Sequence, residues 1–143
     1  MQNDCMTMHL NPYIGFKNTA REAAEFYHSV FGGELSIRTF SEFQASQDPS
    51  EDDLVMHSVL ETESGLTLMM SDTPDRMEYK PGTNISVSLS GDHSDEEVLT
   101  GYWSRLIEGA NVTAPLTKAI WGDSFGMCVD KFGVGWLINI AAA

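Results

Sequence analysis

The feature that most constrains this chain is a pattern that runs once and then starts again. Residues 9–16 are largely apolar and read as a strand, with Pro12 tolerable near a strand's first residues or on an edge. Residues 18–31 read as a helix. Thr19 and Glu22 have capping-box spacing, and Ala23, Phe26, Tyr27, Val30 and Phe31 recur at helical intervals. Gly32 and Gly33 stop it, since glycine accepts the left-handed conformation of a helix end. Residues 34–40 alternate, with Leu35, Ile37 and Thr39 on one face, and residues 54–61 and 65–71 read as two more strands joined by a tight turn. Between them, residues 41–53 are polar and acidic and are expected to form a long loop, a candidate lid.

After a second loop with Pro74 and Pro81, the order repeats. Residues 84–90 alternate through Ile85, Val87 and Leu89. Residues 94–108 read as a helix capped by Ser94 and Glu97, with Val98, Leu99, Tyr102, Leu106 and Ile107 apolar and Gly109 at its end. Residues 111–119 read as an irregular strand broken by Pro115, and residues 124–130 and 134–140 as a hairpin through Lys131-Phe132-Gly133. Residues 26–32 overlay on 103–109, and Leu66, Leu68 and Met70 on Val134, Trp136 and Ile138.

A repeat of this kind predicts one domain over residues 1–143, with pseudo-repeat halves at about 8–72 and 83–141. The expected fold is α+β: tandem βαβββ modules forming a curved mixed sheet with a central cleft. One half alone leaves a sheet face exposed. Pairing two halves is expected to cover part of it and leave a concave groove. The competing reading is a generic α+β domain with a coincidental pattern.

Composition narrows the partners. The chain has 21 Asp and Glu against 8 Lys and Arg, a net charge of −13. A nucleic-acid binder needs a basic footprint to neutralise phosphates, and an anionic membrane surface needs one too, so neither is an expected partner. No apolar stretch is long enough to span a bilayer, and residues 1–7 carry neither the basic start nor the apolar run of a signal peptide. Cys5 and Cys128 form no CxxC or Cys/His cluster, which disfavours structural zinc. A reduced, cytoplasmic protein is expected.

Asn11-Pro-Tyr-Ile-Gly-Phe16, Ala23-Ala-Glu-Phe-Tyr27 and Phe31-Gly-Gly33, followed by Met56-His57 and Leu68-Met-Met-Ser-Asp72, form an ordered set with Trp121-Gly-Asp-Ser-Phe-Gly126, Asp130-Lys-Phe-Gly133 and Trp136. The set resembles the PhnB-like branch of the glyoxalase/bleomycin-resistance/extradiol dioxygenase (vicinal oxygen chelate) superfamily. The resemblance covers nearly the whole chain and implies a homodimer with a cleft inside a curved sheet. Enzymes of that superfamily typically hold a divalent metal with four side chains, one from the first and one from the last strand of each half. Matched on Phe26-Tyr27 and the glycine turns, those positions fall at or near Pro12, Met69, Asn84 and Leu137. They gather no His or Glu, so no metal is expected. The branch has also carried a demethylubiquinone methyltransferase-type label. No glycine-rich strand-turn-helix loop for S-adenosylmethionine is present, and no cofactor is expected.

The candidate ligand-binding residues are Tyr13, His57, Met69, Asn84, Trp121, Asp123, Phe125 and Leu137. His57 reads either as a half-buried strand histidine or as an acid/base in the cleft. Trp121, Asp123 and Phe125 either lock a turn or wall the groove. Met69 fits a core gap as readily as a ligand. Asp72 reads as a turn residue, Cys128 as an inert buried thiol, and His9, His28 and His93 as surface residues. Two functions stay open: a metal-free protein that binds a small organic molecule, or an enzyme of the same superfamily using His57 or Asp123. A weaker third is a metal enzyme with displaced ligands such as His9 or His57.

Overall fold

Period-two alternation builds two four-stranded sheets in the computed structural model, which describes residues 8–143. The chain divides into two compact units, and Cys5 lies outside the described residues. The first unit holds β1 (Tyr13–Phe16), most of α1 (Ala20–Phe31), β2 (Glu34–Thr39), β3 (Val55–Glu61) and β4 (Thr67–Asp72). Its strand order is β1-β4-β3-β2, with β1 parallel to β4 and the other pairs antiparallel. One face is buried through Phe16, Ser58, Leu60, Leu68 and Met70, and α1 adds buried Ala20, Ala23, Ala24 and Tyr27.

The second unit takes residues 29–32, the last turn of α1, together with residues 80–143. It holds β5 (Val87–Gly91), α2 (Glu96–Leu106), β6 (Asn111–Lys118), β7 (Ser124–Val129) and β8 (Gly135–Ile140). The order is β5-β8-β7-β6, again with only the first and last strands parallel. Leu89, Trp136, Ile138 and Cys128 are buried on one face, with Leu99, Trp103 and Leu106 from α2. Both sheets are mixed and neither closes into a barrel, as the fold class requires. Among the described residues no helix is long and apolar enough to cross a membrane.

Several local readings change. Residues 9–12 lie outside β1, and residues 84–86 lie outside β5. Pro115 does not break β6; the strand runs through it with two register shifts. The cap of the second helical segment is Asp92, not Ser94: Asp92 and Asp95 form a reciprocal box around a short 3-10 turn that leads into α2. The Ser94 hydroxyl and then its N–H hold the Asp92 carboxyl below its usual range. Residues 41–53 are not a bare loop. They carry two 3-10 turns, and the buried Glu51 carboxylate accepts the Asp75 N–H at 2.8 Å. Lys17 holds the loop that carries Asp75, on the Asp75 carboxylate at 2.6 Å and on the Thr73 carbonyl at 3.1 Å.

The helix overlay slips by one residue. Ala23, Tyr27 and Val30 are the buried stripe of α1, and Leu99, Trp103 and Leu106 that of α2, so Tyr27 corresponds to Trp103. In that register Gly33 falls on Gly109, and both have positive φ. Gly33 has no alternative, because a Cβ there would sit 2.2 Å from the Glu61 carbonyl oxygen.

Candidate functional site

Strand alternation leaves one face of the first sheet open. Tyr13 and Gly15 on β1, Ser36 and Arg38 on β2, His57 and Val59 on β3, and Met69 and Ser71 on β4 point away from the buried set. Tyr13 is 55% exposed and pairs with Met69, which in turn pairs with Val59. The Tyr13 side chain crosses β4 to reach His57. Its hydroxyl lies 3.4 Å from Nδ1, a long hydrogen bond, and the rings stack with centroids 5.8 Å apart at 29°. Tyr13, His57 and Met69 are therefore brought together on one surface.

The second unit carries its own open face. Ser88 pairs with Leu137, Leu137 with Met127, and Phe125 with Asn139. Asn139 donates its amide to the Asp123 carboxylate at 3.2 Å, and the other Asp123 oxygen accepts the Ala142 N–H at 3.0 Å. Both oxygens are committed, so Asp123 locks the β6–β7 turn. The Ala119 N–H to the Asp123 carbonyl closes that turn at 2.6 Å. Trp121 stands at its tip, 65% exposed, with its ring 6.4 Å from that of Phe125.

The remaining motif residues are fasteners. Buried Asp130 accepts the N–H groups of Phe132 and Val134 with one oxygen and the Trp136 indole N–H, at 2.8 Å, with the other. That geometry explains why Asp130-Lys-Phe-Gly133 occurs with Trp136. Asp72 is not a turn residue. It is buried at the end of β4, where its two oxygens accept the first N–H of α1, from Ala20, and the N–H of Val55 at the start of β3, each at 2.9 Å. Burial, and secondarily the Asp130 charge, push the Cys128 thiol up to about 11.

The strand pairing also moves the positions at which the resemblance would put a metal. Tyr13 faces Met69 across β1 and β4, and Ser88 faces Leu137 across β5 and β8. The first-strand positions are therefore Tyr13 and Ser88, not Pro12 and Asn84. Pro12 lies one residue ahead of Tyr13, just outside β1. Asn84 lies exposed in a bend four residues ahead of Ser88. Sequence reasoning missed Ser88, Asn139 and Arg38. For Arg38 the signal was present, since alternation through Leu35 and Ile37 assigns it to the opposite face.

A profile of the family described as 3-demethylubiquinone-9 3-methyltransferase matches residues 8–139. The chain belongs to this family. Protein PA1353 from Pseudomonas aeruginosa, known as a crystal structure, is 33% identical over 96% of this chain and 100% of its own, with a TM-score of 0.78. A PhnB protein from Bacillus cereus is 20% identical over 94% of this chain and 100% of its own, with a TM-score of 0.70. A glyoxalase family protein from the same species shares the fold at 13% identity, over 100% and 99% of the two chains, with a TM-score of 0.60. The last two likenesses show that this chain has the fold of PhnB and glyoxalase family proteins.

Neither group implied by those names fits the residues. A phenol, a thioether, a hydroxyl and an alkyl chain at Tyr13, Met69, Ser88 and Leu137 are no donor set for a divalent cation. Among the described residues no three His, Cys, Asp or Glu side chains are grouped to hold one. For a methyl donor of the nucleoside type, the turn into α1 is Lys17-Asn18-Thr19, without glycine. Each sheet has one parallel pair rather than a doubly wound array. The usual strand-turn-helix cradle is not built.

Proposed function

We propose that this protein binds a small organic molecule without a divalent metal, on the open face of its first sheet. The observation that supports it is the Tyr13–His57 stack beside Met69, an exposed tyrosine ring next to a half-buried imidazole and thioether on one sheet face. Phe125, Met127 and Leu137 offer a comparable apolar surface in the second unit. A thermal-shift screen of small aromatic compounds tests the proposal. A binder raises the midpoint with concentration, and Tyr13→Ala lowers the response. A screen in which no compound does so overturns the reading, and about one Zn, Ni, Mn or Fe per purified chain overturns the metal-free part of it.

An enzymatic reading is favoured by one contact. The Tyr13 hydroxyl on Nδ1 orients His57 and leaves Nε2 as the group for proton transfer. Asp123 is a poorer choice because its oxygens are taken. The proposed setting is a homodimer in the reducing cytoplasm, in keeping with the free, buried Cys128 thiol.

A further inference from the structure

We infer that the open face of the first sheet selects an organic anion, with Arg38 as the counter-charge. The inference rests on the binding face proposed above. Arg38 on β2 is the direct cross-strand partner of His57 on β3, and both side chains leave the same face of the sheet. A register shift at Arg38/Thr39 bends the edge strand there, and such shifts re-aim neighbouring side chains. Among the described residues no carboxylate lies within salt-bridge distance of Arg38. The nearby Glu42 carboxylate accepts the Thr39 N–H at 2.9 Å. In a chain of net charge −13, this guanidinium stands next to the Tyr13–His57 stack without a carboxylate partner.

The pairing of Arg38 with His57 puts two donor-bearing residues at one end of the face. In the tautomer where the Tyr13 hydroxyl donates to Nδ1, the His57 Nε2 carries a proton and donates outward. Arg38 adds its planar fork, which suits a carboxylate bidentately. The opposite end is acidic: Glu34 and Glu61 pair with each other on this same face. Four strand residues separate Glu34 from Arg38, about 13 Å at the usual rise per residue. That is beyond the Debye length at physiological salt, about 8 Å, so the acidic end does not cancel Arg38. It fixes the ligand's direction instead: the anionic head goes to Arg38 and His57, and the apolar body lies over Tyr13, Val59 and Met69.

The test compares benzoate, benzamide and benzylamine, which share a ring and differ in charge. Binding is read from the methyl signal of 13C-labelled Met69. Benzoate is expected to shift that signal most strongly. Arg38→Gln should weaken benzoate by about tenfold while leaving the benzamide response unchanged. Arg38→Lys should restore part of the affinity. Arg38 is exposed on an edge strand, so the unfolding midpoint of each variant should match the parent. Benzamide or benzylamine binding as tightly as benzoate, or benzoate binding unchanged in Arg38→Gln, overturns the anion inference and leaves the binding face intact. If none of the three probes moves Met69 at millimolar concentration, both readings are overturned.

Discussion

At the scale of single residues, aspartates decide more than histidines. Asp72, Asp123 and Asp130 each use both carboxylate oxygens on N–H groups of the chain. Asp72 is the clearest case, because it joins the start of a helix to the start of a strand from inside the core. Asp72→Ala orphans the N–H groups of Ala20 and Val55, and should cost about 2–4 kcal/mol in urea unfolding. Asp72→Asn, which keeps one acceptor oxygen, should cost less. The role was hidden in the sequence because the partners lie 52 and 17 residues away. For Asp123 only the turn itself was readable, closed by the backbone bond from Ala119; its carboxylate partners, Asn139 and Ala142, lie 16 and 19 residues away. Cys128 supplies a pH test. Its thiol is raised from an ordinary value near 9 to about 11, so the folded state favours the neutral form. Its contribution to stability is complete below pH 9 and lost as pH climbs toward 11. In a Cys5→Ser background, Ellman's reagent at pH 8 should leave the native thiol unmodified and react once the protein is unfolded in urea. Rapid native labelling would contradict that assignment.

At the scale of elements, existence was legible and register was not. All eight strands and both helices follow from alternation and helical spacing, because those periods report burial directly. The one-residue slip between the helices came from Phe26 and Tyr27, two adjacent aromatics of which only Tyr27 is fully buried. Hydrophobicity alone does not separate them; the geometry of the buried stripe does. Gly126 marks another limit. It lies under Trp103 in the second unit, and an added Cβ would come within 3.0 Å of that indole and 2.9 Å of the Leu116 backbone. Gly126→Ala should therefore destabilise by about 1–3 kcal/mol by overpacking. Combining it with Trp103→Leu should recover part of that loss in a double-mutant cycle, because the two residues share one contact. Conversely, Gly65 and Gly133 have open space around them and are needed for their positive φ, not for room.

At the scale of the whole molecule, the net charge of −13 bears on assembly. A net −13 per chain keeps copies apart, so the proposed homodimer must overcome repulsion that salt relieves. Light scattering should find two chains per particle, with the dissociation constant falling as sodium chloride rises from about 20 to about 200 mM, which shortens the Debye length roughly threefold. A monomer at every salt concentration would remove the dimer from the proposal. Family and fold were legible because the motifs that carry the resemblance are the fasteners: Asp72, Asp130 with Trp136, and the glycine turns. What the face binds was not legible, because the residues that decide it, Arg38 and His57, meet only through strand pairing.

The pairing of first with last strand has an evolutionary consequence. Tyr13 and Met69 already stand side by side on one open face, as do Ser88 and Leu137. Histidine at 13 and glutamate at 69 would be neighbours across one strand pair, near enough to share a cation without moving the backbone. Descent toward or away from metal chemistry on this scaffold is then a matter of a few codons, and the architecture can outlast many changes of trade.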